Sequence, residues 1–192
     1  ASALARVSRA RVTAGLSRSR AADDDTEFDR AAAVLNEGNE LDRRGDARGA
    51  LAKYEECLAI GRSIADPGMR QQVEGAAVGS LGSVYARLGQ YVKAAASHKA
   101  ALAISREIGD RRGEGANLGN LGNVYGCLGQ YVKAAASHEA ALAISREIGD
   151  RQGEGAALGN LGNVYKDLGQ YDDAKESHEA ALVILREIGD RQ

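Results

Sequence analysis

The chain has 192 residues, a formal net charge of −2 and 44% hydrophobic residues, which suits one or two domains with a buried core. No stretch approaches the roughly 20 consecutive apolar residues that span a membrane, and the two cysteines show neither a disulfide framework nor a metal-ligand spacing. A single proline is compatible with many helices. The 24 glycines then need a packing role, because glycine costs a helix about 1 kcal/mol relative to alanine.

The N-terminal segment, residues 1–28, begins with an arginine-rich stretch. Residues 1–22 carry five arginines and no acid, whereas the remainder holds 20 basic and 27 acidic residues. Such a stretch resembles an organelle transit peptide, and the alternative is a solvated basic tail. We expect an intracellular protein in the cytoplasm, with a plastid or mitochondrion as the alternative. Because the arginines lack interleaved aromatic residues, no nucleic-acid partner is expected.

The same segment carries a weak apolar stripe, which leaves its conformation open between helical and extended. The stripe would suit a capping helix, a helix docked in a groove or a contact with a partner. It consists of Leu4, Val7, Val12 and Leu16.

Internal repetition dominates the rest of the chain. Residues 88–111 and 128–151 differ at one position, where Lys99 corresponds to Glu139, and a third copy begins at Leu168. The period is 40 residues, and an older copy at 45–66 aligns with 89–110. We predict four repeats, near 29–68, 69–110, 111–150 and 151–190, which exceeds the roughly three that a stable stack requires.

Each repeat is predicted to form two helices. In the third repeat, Leu118, Leu121, Tyr125 and Leu128 follow the spacing of one helical face. Gly129 is a suitable C-cap, and Gly122 would let the partner helix approach closely. The second helix should begin near Tyr131 and close at Gly149 and Asp150. It should bury Ala134, Ala141, Leu142, Ile144 and Ile148.

These positions resemble the pattern of the tetratricopeptide family, in which small and large residues recur at fixed offsets in a helix pair. The five slots are Leu121, Gly122, Tyr125, Ala134 and Ala141. The second repeat fills them with Leu81, Gly82, Tyr85, Ala94 and Ala101, and the fourth with Leu161, Gly162, Tyr165, Ala174 and Ala181. The LGNLGNVY repeats are similar to those of GoLoco-carrying spindle-orientation scaffolds and kinesin light chains. The resemblance implies an all-α, right-handed superhelical solenoid of antiparallel helix pairs with a concave groove that holds peptides.

Some positions depart from the family pattern. Leu118 occupies the usual tryptophan slot, His138 the usual aromatic slot of the second helix, and Arg146 the usual proline slot. The period also exceeds the usual value of about 34 residues.

An asparagine pair is expected to line the groove. On a helical projection, Asn120 and Asn123 lie opposite the apolar face of their helix. The equivalent slots hold Asn36, Asn39, Ser80, Ser83, Asn160 and Asn163. An amide both donates and accepts hydrogen bonds, so a row of asparagines could hold the backbone of an extended peptide, as in peptide-binding members of the family. The alternative is that these are solvated polar residues copied by duplication.

Other groove slots differ between repeats, which predicts a role in specificity unless they have drifted neutrally. One slot holds Arg87, Cys127 and Asp167, and the next holds Ala86, Gly126 and Lys166. A third slot holds Gly79, Gly119 and Gly159. Family members that clamp a carboxyl-terminal carboxylate place lysine there, so that class of partner is not expected.

Nothing in the sequence predicts catalysis. No phosphate-binding loop, dinucleotide fingerprint, nucleophile elbow or paired metal-ligand motif occurs. His98, His138 and His178 recur at period 40, but neighbouring helices lie about 8–10 Å apart. Bonds to zinc are only about 2 Å long. We therefore expect core histidines, no metal site, no cofactor and no enzymatic activity.

The sequence predicts a scaffold that binds a protein or peptide partner in the concave groove. One alternative is an architectural subunit that stabilises a larger complex through its helix faces. Another is the repeat region of a longer regulatory protein, because Asp190-Arg191-Gln192 matches the point where Asp150 leads into a further repeat. A polar capping helix is expected in a complete stack.

Overall fold

The computed structural model describes residues 18–189, which form eight α-helices. They are α1 (Arg18–Arg43), α2 (Ala47–Gly61), α3 (Pro67–Arg87), α4 (Tyr91–Glu107), α5 (Arg111–Cys127), α6 (Tyr131–Glu147), α7 (Arg151–Asp167) and α8 (Tyr171–Gly189). The predicted all-α fold is confirmed. Helix α1 begins inside the segment 1–28, while the apolar stripe of residues 4–16 and the residues Asp190, Arg191 and Gln192 lie outside the described part. No helix in residues 18–189 is both long and apolar enough to cross a membrane.

The helices pack as four pairs, α1 with α2, α3 with α4, α5 with α6 and α7 with α8, and each pair also packs on the next. Short connections make the helices of a pair antiparallel. The first helices also contact one another, α1 with α3, α3 with α5 and α5 with α7. This contact places α1, α3, α5 and α7 on the inner side of the superhelix, while α2, α4, α6 and α8 form the outer side.

Glycine and aspartate set the helix boundaries. Gly129 and Gly149 adopt left-handed conformations, with φ of 69° and 68°, as expected for residues that end a helix. The carboxylate of Asp110 accepts a hydrogen bond from the backbone N–H of Gly113 at 2.9 Å. Helix α5 therefore begins at Arg111, seven residues before Leu118, the first residue of the apolar pattern, because the N-cap and not the first apolar residue determines the start.

The predicted packing of α5 on α6 is largely confirmed. Leu118 and Leu121 are buried, as are Ala134, Ala141 and Ile144. Leu142 is half-buried. The prediction for Ile148 was wrong: it is 36% exposed, because it is the C-cap of α6 and lies beyond the last helical turn.

Gly122 has the role that the sequence predicted. A methyl group added to its Cα would lie 2.5 Å from the Cε1 and Nε2 atoms of His138. The absent side chain therefore lets the His138 ring of α6 lie directly against the α5 backbone.

Ion pairs join successive helix pairs at the connections between them. Nε of Arg106 lies 2.8 Å from the buried carboxylate of Glu114, which Arg111 also contacts. Arg111 pairs in addition with Glu147 of α6. The hydrogen bond from Arg106 lowers the pKa of Glu114. The same arrangement recurs one period later, with Glu154 between Arg146 and Arg151.

Candidate peptide-binding groove

The inner helices α5 and α7 form the walls of a groove, and α6 forms its floor. A pocket of about 270 Å³ lies in this groove. Asn120 and Asn123 of α5 and Asn160 of α7 line its walls, and His138 and Ser145 of α6 line its floor. We call this cavity the α5–α7 pocket. The pocket is preformed, because every wall belongs to a helix packed against its neighbours.

The structure brings three of the predicted asparagines together. Asn120, Asn123 and Asn160 share the α5–α7 pocket, and Asn163 is exposed one helical turn further along α7. Their carboxamides can present donors and acceptors toward a segment lying in the groove. Asn120 and Asn123, which the helical projection put on the groove side of α5, thus line the same pocket.

The equivalent residues of the first two repeats are arranged differently. Asn36 is exposed, but the amide oxygen of Asn39 accepts a hydrogen bond from the Tyr54 hydroxyl at 2.8 Å. Ser80 is half-buried, and the hydroxyl of Ser83 donates to the Gly79 carbonyl at 3.3 Å. These bonds within the chain already use groups that the sequence assigned to a ligand, so the groove is not uniform along the superhelix.

The variable slots also differ in their surroundings. Arg87 donates to the backbone carbonyl of Asp42 at 2.9 Å and pairs with the Asp42 carboxylate. It therefore joins the end of α3 to the end of α1. Cys127, Lys166 and Asp167 are exposed at the ends of α5 and α7.

Two of the three histidines are core residues, as predicted. His98 and His138 are each only 1% exposed, whereas His178 is half-buried. Nδ1 of His98 lies 3.4 Å from the amide oxygen of Asn117, but Nδ1 of the buried His138 has no hydrogen-bond partner within the eight described helices and their connections. Burial lowers the pKa of His138 to about 4, so this imidazole is neutral at pH 7. Across residues 18–189 no three histidine, cysteine, aspartate or glutamate side chains form a group that could hold a metal ion.

A sequence comparison decides the family. The sequence profile described as "Tetratricopeptide repeat" matches residues 73–147 and 116–187, which together cover more than half of the chain. The chain belongs to the tetratricopeptide repeat family. Among curated protein sequences none matches this one.

Several solved structures share the fold. BtubC (BKLC) from P. vanneervenii matches with a TM-score of 0.74 and 22% identity over 83% of this chain and 64% of its own. This chain therefore spans less than two thirds of BtubC. Aspartyl phosphate phosphatase F from Bacillus subtilis matches with a TM-score of 0.77 and 17% identity, over 85% of this chain and 42% of its own.

The TPR domain of Arabidopsis FLU is a further structural neighbour, with a TM-score of 0.59 and 24% identity. It matches over 61% of this chain and 98% of its own. At these identities the likenesses establish the superhelical fold alone. The narrower resemblance to GoLoco-carrying scaffolds stays a prediction.

Two residues that have structural roles, Asn117 and Asp24, were not predicted from the sequence. Asn117 bridges α4 and α5, and the repeat comparison could have found it, because the fourth repeat has Ala157 at that slot. Asp24 is 5% exposed and accepts hydrogen bonds from the backbone N–H groups of Ala65 and Asp66, at 2.8 and 3.0 Å. No periodic pattern marks Asp24, since its partners lie more than 40 residues away.

Proposed function

We propose that this tetratricopeptide repeat chain is a protein-interaction scaffold that binds an extended segment of a partner protein between α5 and α7. The proposal is supported by one observation above all: Asn120, Asn123 and Asn160 converge on one preformed pocket. Such amides suit the alternating N–H and C=O groups of a peptide backbone. Asn163 extends the row along α7.

The rigidity of the groove also supports peptide binding. Association costs free energy for every loop or side chain that has to be ordered. Here the walls and floor are packed helices, so that cost falls mainly on the partner. An extended peptide can therefore bind through many modest contacts.

The test is an affinity capture from an extract of the source cells, with partners identified by mass spectrometry. A groove variant replaces four asparagines with alanine, and a control variant replaces four exposed polar residues of the outer helices. The groove variant is Asn120→Ala, Asn123→Ala, Asn160→Ala and Asn163→Ala. The control variant is Glu55→Ala, Glu107→Ala, Asp172→Ala and Glu176→Ala.

Circular dichroism first establishes that both variants are folded. A partner bound by the wild-type chain and by the control, but lost from the groove variant, is the expected result. Partners that bind all three proteins equally would show that the asparagines do not contribute to binding.

One observation favours an architectural role as a second candidate function. Helix α8 exposes Leu182, Val183 and Leu185 by 51–58%, whereas the equivalent Leu102 of α4 is 8% exposed and packs in a cluster with residues of α5. A subunit held in a larger complex would cover this face. In that case Leu182→Gln with Leu185→Gln should release partners that the groove variant retains.

A further inference from the structure

Two equivalent junctions between repeats differ by one side chain. At the first junction, Nδ1 of the buried His98 lies 3.4 Å from the amide oxygen of Asn117. The amide nitrogen of Asn117 lies 3.4 Å from the hydroxyl of Ser105 and donates to the Gly113 carbonyl at 2.9 Å. A carboxamide thus fills the space between an imidazole and a hydroxyl group.

The second junction, one period later, lacks that carboxamide. His138, Ser145 and Gly153 occupy the slots of His98, Ser105 and Gly113, but Ala157 occupies the slot of Asn117. His138, Ser145, Gly153 and Ala157 all line the α5–α7 pocket. His138 is 1% exposed, and its Nδ1 has no hydrogen-bond partner among residues 18–189. The described chain therefore leaves a polar atom of His138 unsatisfied, whereas Asn117 lies beside Nδ1 of His98 at the first junction.

The chemistry of the floor selects the kind of group that could fill the space. A neutral imidazole offers one donor and one acceptor, and the serine hydroxyl can do either. A carboxylate can only accept. The charged residues that line the pocket are one cation, Arg112, and one anion, Asp150, so the lining offers a buried carboxylate no net positive charge. A carboxamide both accepts and donates, as Asn117 does at the first junction. An apolar group would leave the imidazole nitrogen unpaired.

The pocket is also large enough for a whole side chain. Its volume of about 270 Å³ compares with roughly 30 Å³ for one water molecule in the liquid. Its walls carry Asn120, Asn123 and Asn160, the residues assigned above to a peptide backbone. A side chain directed toward α6 from a peptide in the groove would reach the floor.

We propose that the α5–α7 pocket binds the side-chain carboxamide of a glutamine or asparagine in the bound partner segment. The carboxamide lies between His138 and Ser145, as that of Asn117 lies between His98 and Ser105. This inference rests on the proposed function, since it names a residue type that the groove selects. The asparagines on the walls would hold backbone atoms, which are the same whatever the sequence of the partner.

The first test asks whether the floor accepts a carboxamide at all. Ala157→Asn supplies one from the chain itself, and Ala143→Asn makes the same substitution at an exposed position of α6. We expect Ala157→Asn to melt about 2–4 °C above the Ala143→Asn control, because only the former satisfies His138. The ring ¹⁵N resonance of His138 Nδ1 should move in the Ala157→Asn variant alone. Equal melting temperatures with an unmoved resonance would overturn the proposal.

The second test asks whether the pocket selects peptides. A phage-displayed library of random 12-residue peptides is panned against the full 192-residue chain and against both variants. The wild-type chain and Ala143→Asn should enrich peptides with glutamine or asparagine at one fixed position. Those peptides should bind Ala157→Asn about tenfold more weakly or worse, the effect of losing one buried hydrogen-bonding group. Changing the selected glutamine to glutamate should weaken binding similarly.

The outcomes separate this inference from the proposed function. Suppose that the enriched peptides lose affinity for the groove variant but show no preference for glutamine or asparagine, or bind Ala157→Asn as tightly as the wild type. That result would overturn the inference and leave the proposed function standing. The inference also fails if a bound peptide leaves the ring ¹⁵N resonance of His138 Nδ1 unmoved, because no group of the peptide would then contact this nitrogen. A library that enriches no peptide on the wild-type chain would contradict both.

Discussion

Replacing Gly122 with alanine should destabilise the chain, although alanine is the better helix former. An added Cβ would lie 2.5 Å from two ring atoms of His138, a separation shorter than normal van der Waals contact. The ring is buried, with only 1% of its surface exposed. Either the ring or the α5 backbone would therefore have to move.

Gly119 provides a matched control on the same helix. A Cβ added there would meet no atom of the described residues within 4 Å. Both substitutions gain the same helix propensity, about 1 kcal/mol. Only Gly122→Ala adds overpacking, which costs about 1–3 kcal/mol in well-packed cores. The difference in stability between the two variants should therefore be about 1–3 kcal/mol, with Gly119→Ala above the wild type.

Urea unfolding followed by circular dichroism measures this difference, provided that the slopes of the two transitions agree. A double-mutant cycle adds His138→Ala, which removes the ring that the new methyl group would meet. In that background Gly122→Ala should stabilise the chain, as Gly119→Ala does. If Gly122→Ala is as stable as Gly119→Ala in the presence of His138, the close-approach explanation of this glycine is wrong.

Three further predictions concern stability. Folding lowers the pKa of His138 from 6.5 to about 4, so between these pH values the unfolded chain binds a proton that the folded chain does not. The free energy of unfolding should therefore fall by up to about 3 kcal/mol as the pH drops from 6.5 to 4. The urea midpoint of a His138→Leu variant should decline less over the same range. Asp24→Ala should lower the free energy of unfolding by about 1–3 kcal/mol and accelerate hydrogen exchange at the amides of Ala65 and Asp66. Unchanged exchange at these amides would contradict their hydrogen bonds to Asp24. Glu154→Gln removes the charge of the carboxylate shared by two arginines and should lower the free energy of unfolding by about 1–3 kcal/mol at high as well as low salt concentration. A loss of stability that disappears at high salt would instead indicate an exposed ion pair.

The sequence by itself determined the repeat, the helical fold and the family. These features depend on short-range patterns: an apolar residue every three or four positions, a glycine that ends each helix and an identical unit every 40 residues. Such patterns also placed Asn120, Asn123 and Asn160 on one face, because the geometry of a helix relates near neighbours directly. The apolar pattern does not mark the start of α5, because the Asp110 cap carries no apolar signal.

Only the tertiary structure decided which of the groove residues are already engaged within the chain. Arg87 contacts Asp42 and Asn39 contacts Tyr54, pairs that lie 45 and 15 residues apart. The tertiary structure also decided that Nδ1 of His138 has no partner among the described residues, since Ala157 occupies the slot that Asn117 fills beside His98. Contacts of this kind depend on how helices from different repeats pack, and neither the period nor the amphipathic pattern of one helix specifies that packing.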